Sequence, residues 1–423
     1  MMRFNHANPW RGEVVKLTQL FYLMLLASLL MYSSFAYSSL RPSEVSAKRL
    51  YKTKKSKVPK IRVRIGKSIS NVELSGLDLQ RELLLSEDLQ RYDGRKKLSF
   101  NCSNFKNSKK FKASTLFASI SSQTGLISFG EEKYQGKISI LTSPNRKSCD
   151  VVNEVSIELY LSSLLSKEMN AKWPIEALKA QAIAARTYAI HKMKSRQVSR
   201  GLGREAYYDI ESSEKHQVGG SFFDATKNTF KAARYTKGKI LVTQKGKNLT
   251  PIFFHAKCGG RTLLPDQVWD NHVEGYHGVP CPHCHGHGKK SWDSKVSKKR
   301  LKKFISWAIS ESYLKNVKED KFSYQDIMVA PDRIKNFKIR IYLGDKVYVF
   351  EKTLLRRYFG RSIIPSNNFY VRDAKNSVKL SGRGNGHGVG MCQLGALHMA
   401  KMGKSYKEIL AYYFPGHELR TIY

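Results

Sequence analysis

Acidic residues are scarce in this chain. Among 423 residues, 34 Asp and Glu stand against 74 Lys and Arg, a formal charge of +40. That imbalance leaves a surface that seeks polyanions: nucleic acid, anionic lipid or a carboxylate-rich wall polymer. The basic residues are spread along the whole sequence, so the folded surface is cationic and not merely a tail. Nucleotide loops are also missing. There is no G-x-x-x-x-G-K-[ST], and the C-terminal glycines run G-x-G-x-G-x-G in place of G-x-G-x-x-G, which excludes either phosphate cradle. No internal repeat stands out, which argues against a solenoid. Long apolar runs are confined to one stretch, Leu17 to Tyr37.

That stretch follows Arg3, Arg11 and Lys16 and ends in Ser34-Phe35-Ala36, small residues at the −3 and −1 positions of a signal-peptidase site. It is also about long enough to span a bilayer uncleaved. Residues 1–40 are therefore expected to be a signal peptide or an N-terminal membrane anchor, and either one exports the rest of the chain. Export sets nucleic acid aside as a partner and favours a cell-wall polymer. Arg41 to Lys60, rich in Lys, Ser and Pro, reads as a solvated basic linker.

Beyond residue 60 the pattern is α+β. IRVRIG (Ile61 to Gly66) and YQGKISIL (Tyr134 to Leu141) read as strands in a strand-rich part covering 61–150. Between about 70 and 130 the sequence reads only as mixed short strands and a loop. A core over 151–423 opens with helices. Ile157, Leu161, Leu164, Leu165 and Glu168 share one face of IELYLSSLLSKEM. A second, alanine-rich helix starts at Trp173-Pro174, where the missing proline N–H is harmless, and carries Lys179 and Arg186 on one face. Short strands and turns follow from Tyr207 to Ile252. Val296 to Tyr313 reads as a helix, Phe337 to Lys352 as a strand pair turning at Gly344-Asp345, and KTLLRRYFG as a short helix.

The chain's most distinctive segment begins at Ser381. SGRGNGHGVGM alternates Gly382, Gly384, Gly386, Gly388 and Gly390 around His387, and two short helices follow it, CQLGALHMAKMG and SYKEILAYYFPG. Five alternating glycines are costly to order, so the loop needs φ > 0 or a close approach. It reads as the wall of a binding site.

Several residues could carry chemistry. Glu168 ends an apolar helix face; partial desolvation there would suit a general acid, and the plainer reading is a surface glutamate paired with Lys167 or Lys172. Cys258 and the C-x-x-C of Cys281 and Cys284, with His283 between them, suit a closed tetrahedral zinc site; a disulfide or a His-rich surface loop is the competing reading. His387 could contact a sugar or orient the acid, or simply fix its loop. Cys392 reads as a small core residue or a thiol activated by a helix start. Gln393 is either an amide contact to substrate or a helix-start residue.

Three segments together resemble the SpoIID/LytB family of bacterial cell-wall proteins, whose prototype is the sporulation stage II lytic transglycosylase. They are VNEVSIELYLSSLLSKEMNAKWPIEALKAQAIAARTYAI, then FFHAKCGGRT with the downstream VW and CPHC, and GRGNGHGVGMCQLGALHMAKMGKSYKEILAYYFPG. The resemblance runs from about Ile61 to the C-terminus and is densest from Val151. It implies a catalytic helical hairpin with Glu168 as the single acid/base, and Lys179, Arg186, His387 and Gln393 as substrate-binding residues. The implied reaction cleaves the bond between N-acetylmuramic acid and N-acetylglucosamine in peptidoglycan glycan strands, with 1,6-anhydro ring formation and no required cofactor. The alternative within the family is a non-catalytic wall binder that activates an amidase. Some members bind zinc near the segment matching Tyr207 to Gln217, where only His216 remains here; the set Cys258, Cys281 and Cys284 resembles a different subgroup pattern. A chain of this kind is expected in the cell envelope.

Overall fold

A computed structural model describes residues 58–84, 89–103, 114–144, 146–201, 207–212, 221–284, 286, 291–311, 313, 323–332, 337–344 and 346–423. The expected leader, the linker through residue 57, and His216, His285 and His287 lie outside the described residues.

The chain is α+β. The N-terminal part is an antiparallel sheet of β1 (Lys60–Ile69), β2 (Asn71–Leu84), β3 (Leu89–Asn101), β4 (Leu116–Ser122), β5 (Leu126–Phe129), β6 (Glu132–Gln135), β7 (Lys137–Thr142) and β8 (Cys149–Ser156). Its order runs β6-β5-β2-β4-β7-β8-β1, with β3 on β2. The segment that sequence reads as short strands contains two of the longest, β2 and β3, with 14 and 13 residues. β2 is long enough to pair β5 at Leu74–Ser75 and β4 at Leu79–Leu83 while pairing β3 along its length. Inward residues such as Val72, Leu74, Ile120, Ile138 and Val151 form the core of this part, which a disulfide between Cys102 and Cys149 ties together.

β8 runs directly into α1 (Ile157–Glu168), and after a short turn α2 (Ile175–Gly201) follows. The apolar spacing of α1 buries Ile157, Leu161, Leu164 and Leu165. α2 can be surrounded because it is lined with alanine: Ala177, Ala180, Ala182, Ala184, Ala185 and Ala189 are all fully buried. A methyl side chain lets neighbouring backbones close in at little entropic cost. Next come β9 (Ile210–Glu211), which adds to β1, then α3 (Lys227–Tyr235), β10 (Lys239–Thr243), β11 (Phe254–His255) and the single-turn α4 (Asp266–Trp269).

Residues 291–380 fold around a separate core. β12 (Ser291–Ser297) leads into α5 (Lys298–Ser310), and β13 (Ile327–Pro331), β14 (Lys338–Leu343) and β15 (Lys346–Glu351) form one sheet. After α6 (Lys352–Phe359), β16 (Phe369–Ala374) and β17 (Ser377–Arg383) complete a second sheet with β12. The glycine segment then returns the chain to the helices through β18 (Met391–Cys392), α7 (Gln393–Lys401), α8 (Tyr406–Tyr413) and β19 (His417–Thr421), which pairs β10. No helix among the described residues is long and apolar enough to cross a membrane.

Candidate active site

The α1–α2 turn is built by local hydrogen bonding. The Asn170 side chain accepts from the Lys172 N–H at 2.9 Å and its carbonyl accepts from the Trp173 N–H at 2.9 Å. The Asn228 amide braces the turn from α3 by donating to the Ala171 carbonyl at 3.1 Å. This side-chain turn stops α1 at Glu168 and redirects the chain within six residues into α2. Glu168 is partly exposed at the end of α1, and its charge adds to burial in pushing the Tyr160 phenol well above its ordinary pKa. Beside Glu168, Lys167 pairs with Asp224 at 3.1 Å.

An open groove of 560 Å³ lies over this turn, lined by Glu168, Asn170, Trp173, Ala256, Gln393 and Leu394 among others. It therefore joins the end of α1 to the start of α7, bringing Glu168 and Gln393 to one surface. Gln393 is held there by backbone on both sides: the Met391 N–H donates to Phe253 O at 3.1 Å and the Leu394 N–H to Ala256 O at 3.1 Å. A carboxyl, an amide and an indole around an open groove can supply a proton, a hydrogen bond and a stacking face to a sugar.

The other residues singled out from the sequence have different surroundings. Lys179 pairs with Glu176 at 2.7 Å and lies against the rings of Tyr235 and Tyr406; the same Glu176 accepts from the Tyr406 N–H at 2.8 Å. These contacts join α2 to α8, and opposing pulls on Glu176 (burial upward, Lys179 and the Tyr406 amide downward) leave its pKa lowered. Arg186 is 0% exposed, so no substrate touches it in this conformation. Its guanidinium grips Glu158 at 3.0 and 2.7 Å and donates to the carbonyls of Ala233 and Lys239. It ties α1, α3 and β10 to α2.

His387 does not line the groove. Its ring packs against Phe253, His255 and Trp269, at centroid distances of 6.1, 5.7 and 5.1 Å. Desolvation, with help from His255 and Arg356, pushes it well below the ordinary imidazole pKa. As a neutral ring it accepts the Val389 N–H at Nδ1, 3.1 Å away. The four glycines from Gly384 to Gly390 all have positive φ, and what crowds them is protein. A Cβ on Gly390 would collide with the Phe253 carbonyl, and one on Gly384 would come within 2.9 Å of the Cys258 carbonyl carbon. The loop is threaded against the segment 253–258, through the pairings Lys257 with Asn385 and Phe254 with Met391. The glycine cost recognised in the sequence is incurred inside the fold, and it delivers Gln393 to the groove.

A second groove, of 760 Å³, is lined by Arg261, Trp292, Tyr370 and Arg383 among others. Among the described residues one group is spaced to hold a metal ion: Cys258, Cys281, Cys284 and Cys392. His283 is outside it, its ring packed against those of Tyr412 and His398 at 5.4 and 5.7 Å.

The chain is an α+β protein in which a groove lies between a helical hairpin and the helix that follows a glycine-threaded segment. The family profile described as SpoIID, stage II sporulation protein, matches residues 145–242, the stretch from the start of β8 through α1, α2 and α3 to β10. An uncharacterized protein of Brachyspira hyodysenteriae is 34% identical over 283 residues, covering 66% of this chain and 71% of that protein. The stage II sporulation protein D of Bacillus subtilis is 28% identical over 277 residues, 63% of this chain and 75% of that protein. The amidase enhancer of B. subtilis is 28% identical over 305 residues, 62% of this chain but only 40% of the larger relative. The chain belongs to the SpoIID/LytB family, whose members point to a cell-wall-related function.

Proposed function

We propose that this protein is an exported lytic transglycosylase that cleaves peptidoglycan glycan strands at Glu168. The observation that carries the reading is the groove where Glu168, Trp173 and Gln393 meet although they come from opposite ends of the core. Ordinary glycosidases need two carboxyl groups, one as acid and one as nucleophile or base; Glu168 is the one carboxyl among the residues lining this groove. One suffices when the nucleophile is tethered to the substrate. The Glu168 carboxyl gives its proton to the oxygen bridging N-acetylmuramic acid and N-acetylglucosamine, and the C1–O bond breaks. The C6 hydroxyl of the same muramic residue closes on C1 and returns its proton to the Glu168 carboxylate. The acid is regenerated, no water is consumed, and the product is a 1,6-anhydro end. Gln393 hydrogen-bonds the sugar, and Trp173 offers an apolar face. Lys179 and Arg186 act through the framework: their contacts hold α2 to its neighbours, which support the hairpin carrying Glu168.

The test is mass spectrometry of products released from purified sacculi and from glycan strands stripped of peptides. Wild type should release 1,6-anhydromuropeptides, and Glu168→Gln should release none. Undiminished release by that variant sinks the assignment.

The match to the amidase enhancer favours a second reading, a non-catalytic wall binder that stimulates an amidase. Under it, the protein binds sacculi and releases no glycan ends, while a partner hydrolase accelerates in its presence whether or not Glu168 is intact.

A further inference from the structure

Three separate segments deliver four cysteine side chains to one buried point: Cys258 just beyond β11, the turn Cys281–Cys284, and Cys392 at the end of the glycine segment. Their Sγ atoms all lie within 4.8 Å of one another, and Cys258 and Cys284 approach to 3.4 Å. None is joined in a disulfide, although the same chain carries one between Cys102 and Cys149. Four sulfurs at the corners of a tetrahedron around zinc, each at ~2.3 Å, stand ~3.8 Å apart, and the observed spacing brackets that value. Two disulfides would instead divide the four into two bonded pairs.

The surroundings of the sulfurs give independent evidence. The Gly260 N–H donates to Cys258 Sγ at 3.5 Å and the Gly395 N–H to Cys392 Sγ at 3.4 Å. The Tyr413 hydroxyl lies 3.2 Å from Cys281 Sγ. Donors aimed at sulfur stabilise the thiolate, and clustered thiolates need a cation between them. Gly395 packs directly against the cluster: a Cβ there would strike the Tyr413 hydroxyl and come within 2.9 Å of Cys281 Sγ. Four free thiols in an exported protein would also be exposed to oxidation, which a bound, redox-inert ion prevents.

We propose that Cys258, Cys281, Cys284 and Cys392 bind one Zn²⁺ ion in a closed, structural four-sulfur site, and that the ion clamps together the two segments, at Ala256 and at Gln393, that line the groove with Glu168. Cys392 precedes Gln393, and Cys258 follows Ala256 by two residues; Gln393 and Ala256 line the groove with Glu168. With all four positions taken by sulfur the ion has no open site for substrate or water, so its cysteines position the groove and take no part in the chemistry. His283 is not a ligand. The clamp's consequence for cleavage rests on the glycan-cleaving reading above; metal binding does not.

The experiment measures metal content of the full chain purified from the cell envelope, with thiol mapping by mass spectrometry. One Zn per chain with four unmodified thiols is expected, and Co²⁺ substitution should give the absorption of a tetrahedral all-sulfur site. His283→Ala should keep the full equivalent, Cys392→Ser should lose it, and chelation should lower the melting temperature in a way that added Zn²⁺ reverses. Two disulfides among these cysteines, iron in place of zinc, or loss of metal in His283→Ala would each overturn the proposal. Because the wild-type metal content and cobalt spectrum need no variant to fold, a misfolded Cys392→Ser leaves the test intact. A chain that holds zinc yet releases no anhydro ends would sink the glycan-cleaving reading alone.

Discussion

Replacing Arg186 with Ala separates a framework arginine from a substrate-binding one. The guanidinium is completely buried and donates to the Glu158 carboxylate, the Thr236 hydroxyl and the carbonyls of Ala233 and Lys239. Its removal leaves Glu158 with the Tyr423 hydroxyl at 2.5 Å and a weak contact from the Gly238 N–H at 3.4 Å, but without a compensating cation. Breaking a buried pair by deleting one partner costs about 3–5 kcal/mol. At roughly 2–4 °C per kcal/mol for a domain somewhat smaller than this one, a loss near 4 kcal/mol lowers the melting temperature by ~8–16 °C. The assay is thermal unfolding followed by circular dichroism, with glycan release measured well below the transition. Activity should persist there, since Arg186 touches no substrate. Glu158→Gln combined with Arg186→Met should recover part of the loss, because neither remaining side chain carries a buried charge. If Arg186→Ala melts within ~2 °C of wild type while glycan cleavage disappears, the framework role is refuted and the arginine acts on substrate.

Gly390→Ala must fit a Cβ into the Phe253 carbonyl at φ 74° and should cost well above the ~1–3 kcal/mol of left-handed strain alone; Gly403→Ala, at φ 83° with open space around it, should show only that strain in urea titrations. Removing the Cys102–Cys149 disulfide, which closes a loop of sequence separation 47, should cost about 4 kcal/mol by the chain-entropy relation, read as a lower urea midpoint for the Cys102→Ala/Cys149→Ala variant. Burial, with His277 nearby, holds His417 down to about 4 against ~6.5 unfolded. The unfolded state therefore binds the extra proton, and stability present above pH ~6.5 should fall progressively as pH drops toward ~4; His417→Phe should flatten that part of the profile. Sacculus binding, driven by the +40 charge, should weaken between 0.1 and 1 M salt as the screening length contracts from ~10 to ~3 Å, and Glu168→Gln should bind as tightly as wild type.

What the sequence revealed, and what it hid, follows from the range of each signal. The α1–α2 hairpin is legible because its information is local: apolar residues at helical spacing, an Asn at the turn and Pro174 before the next helix. β2 and β3 are obscured because their charged residues interrupt the two-residue alternation and their pairing spans tens of residues. The seven-residue spacing of Lys179 and Arg186 correctly places them on one face of α2, but spacing carries no information about what that face meets. It meets α3, α8 and β10, so the cations bind protein partners. The glycine segment poses the same difficulty. Its composition announces positive φ or close contact, and both occur, yet no local pattern distinguishes a ligand from the segment 253–258 as the thing approached. Cys392 is hidden for the opposite reason: it has no cysteine near it in sequence, and joins the C-x-x-C only because β11 pairs with β18. A cysteine at the start of a helix immediately after a glycine-threaded segment was the available clue. Read with the three upstream cysteines, it makes one arrangement out of two apparently separate motifs. The glycines let the backbone pass close beside residues 253–258, the four cysteines converge where the two segments meet, and Gln393 lines the groove with Glu168.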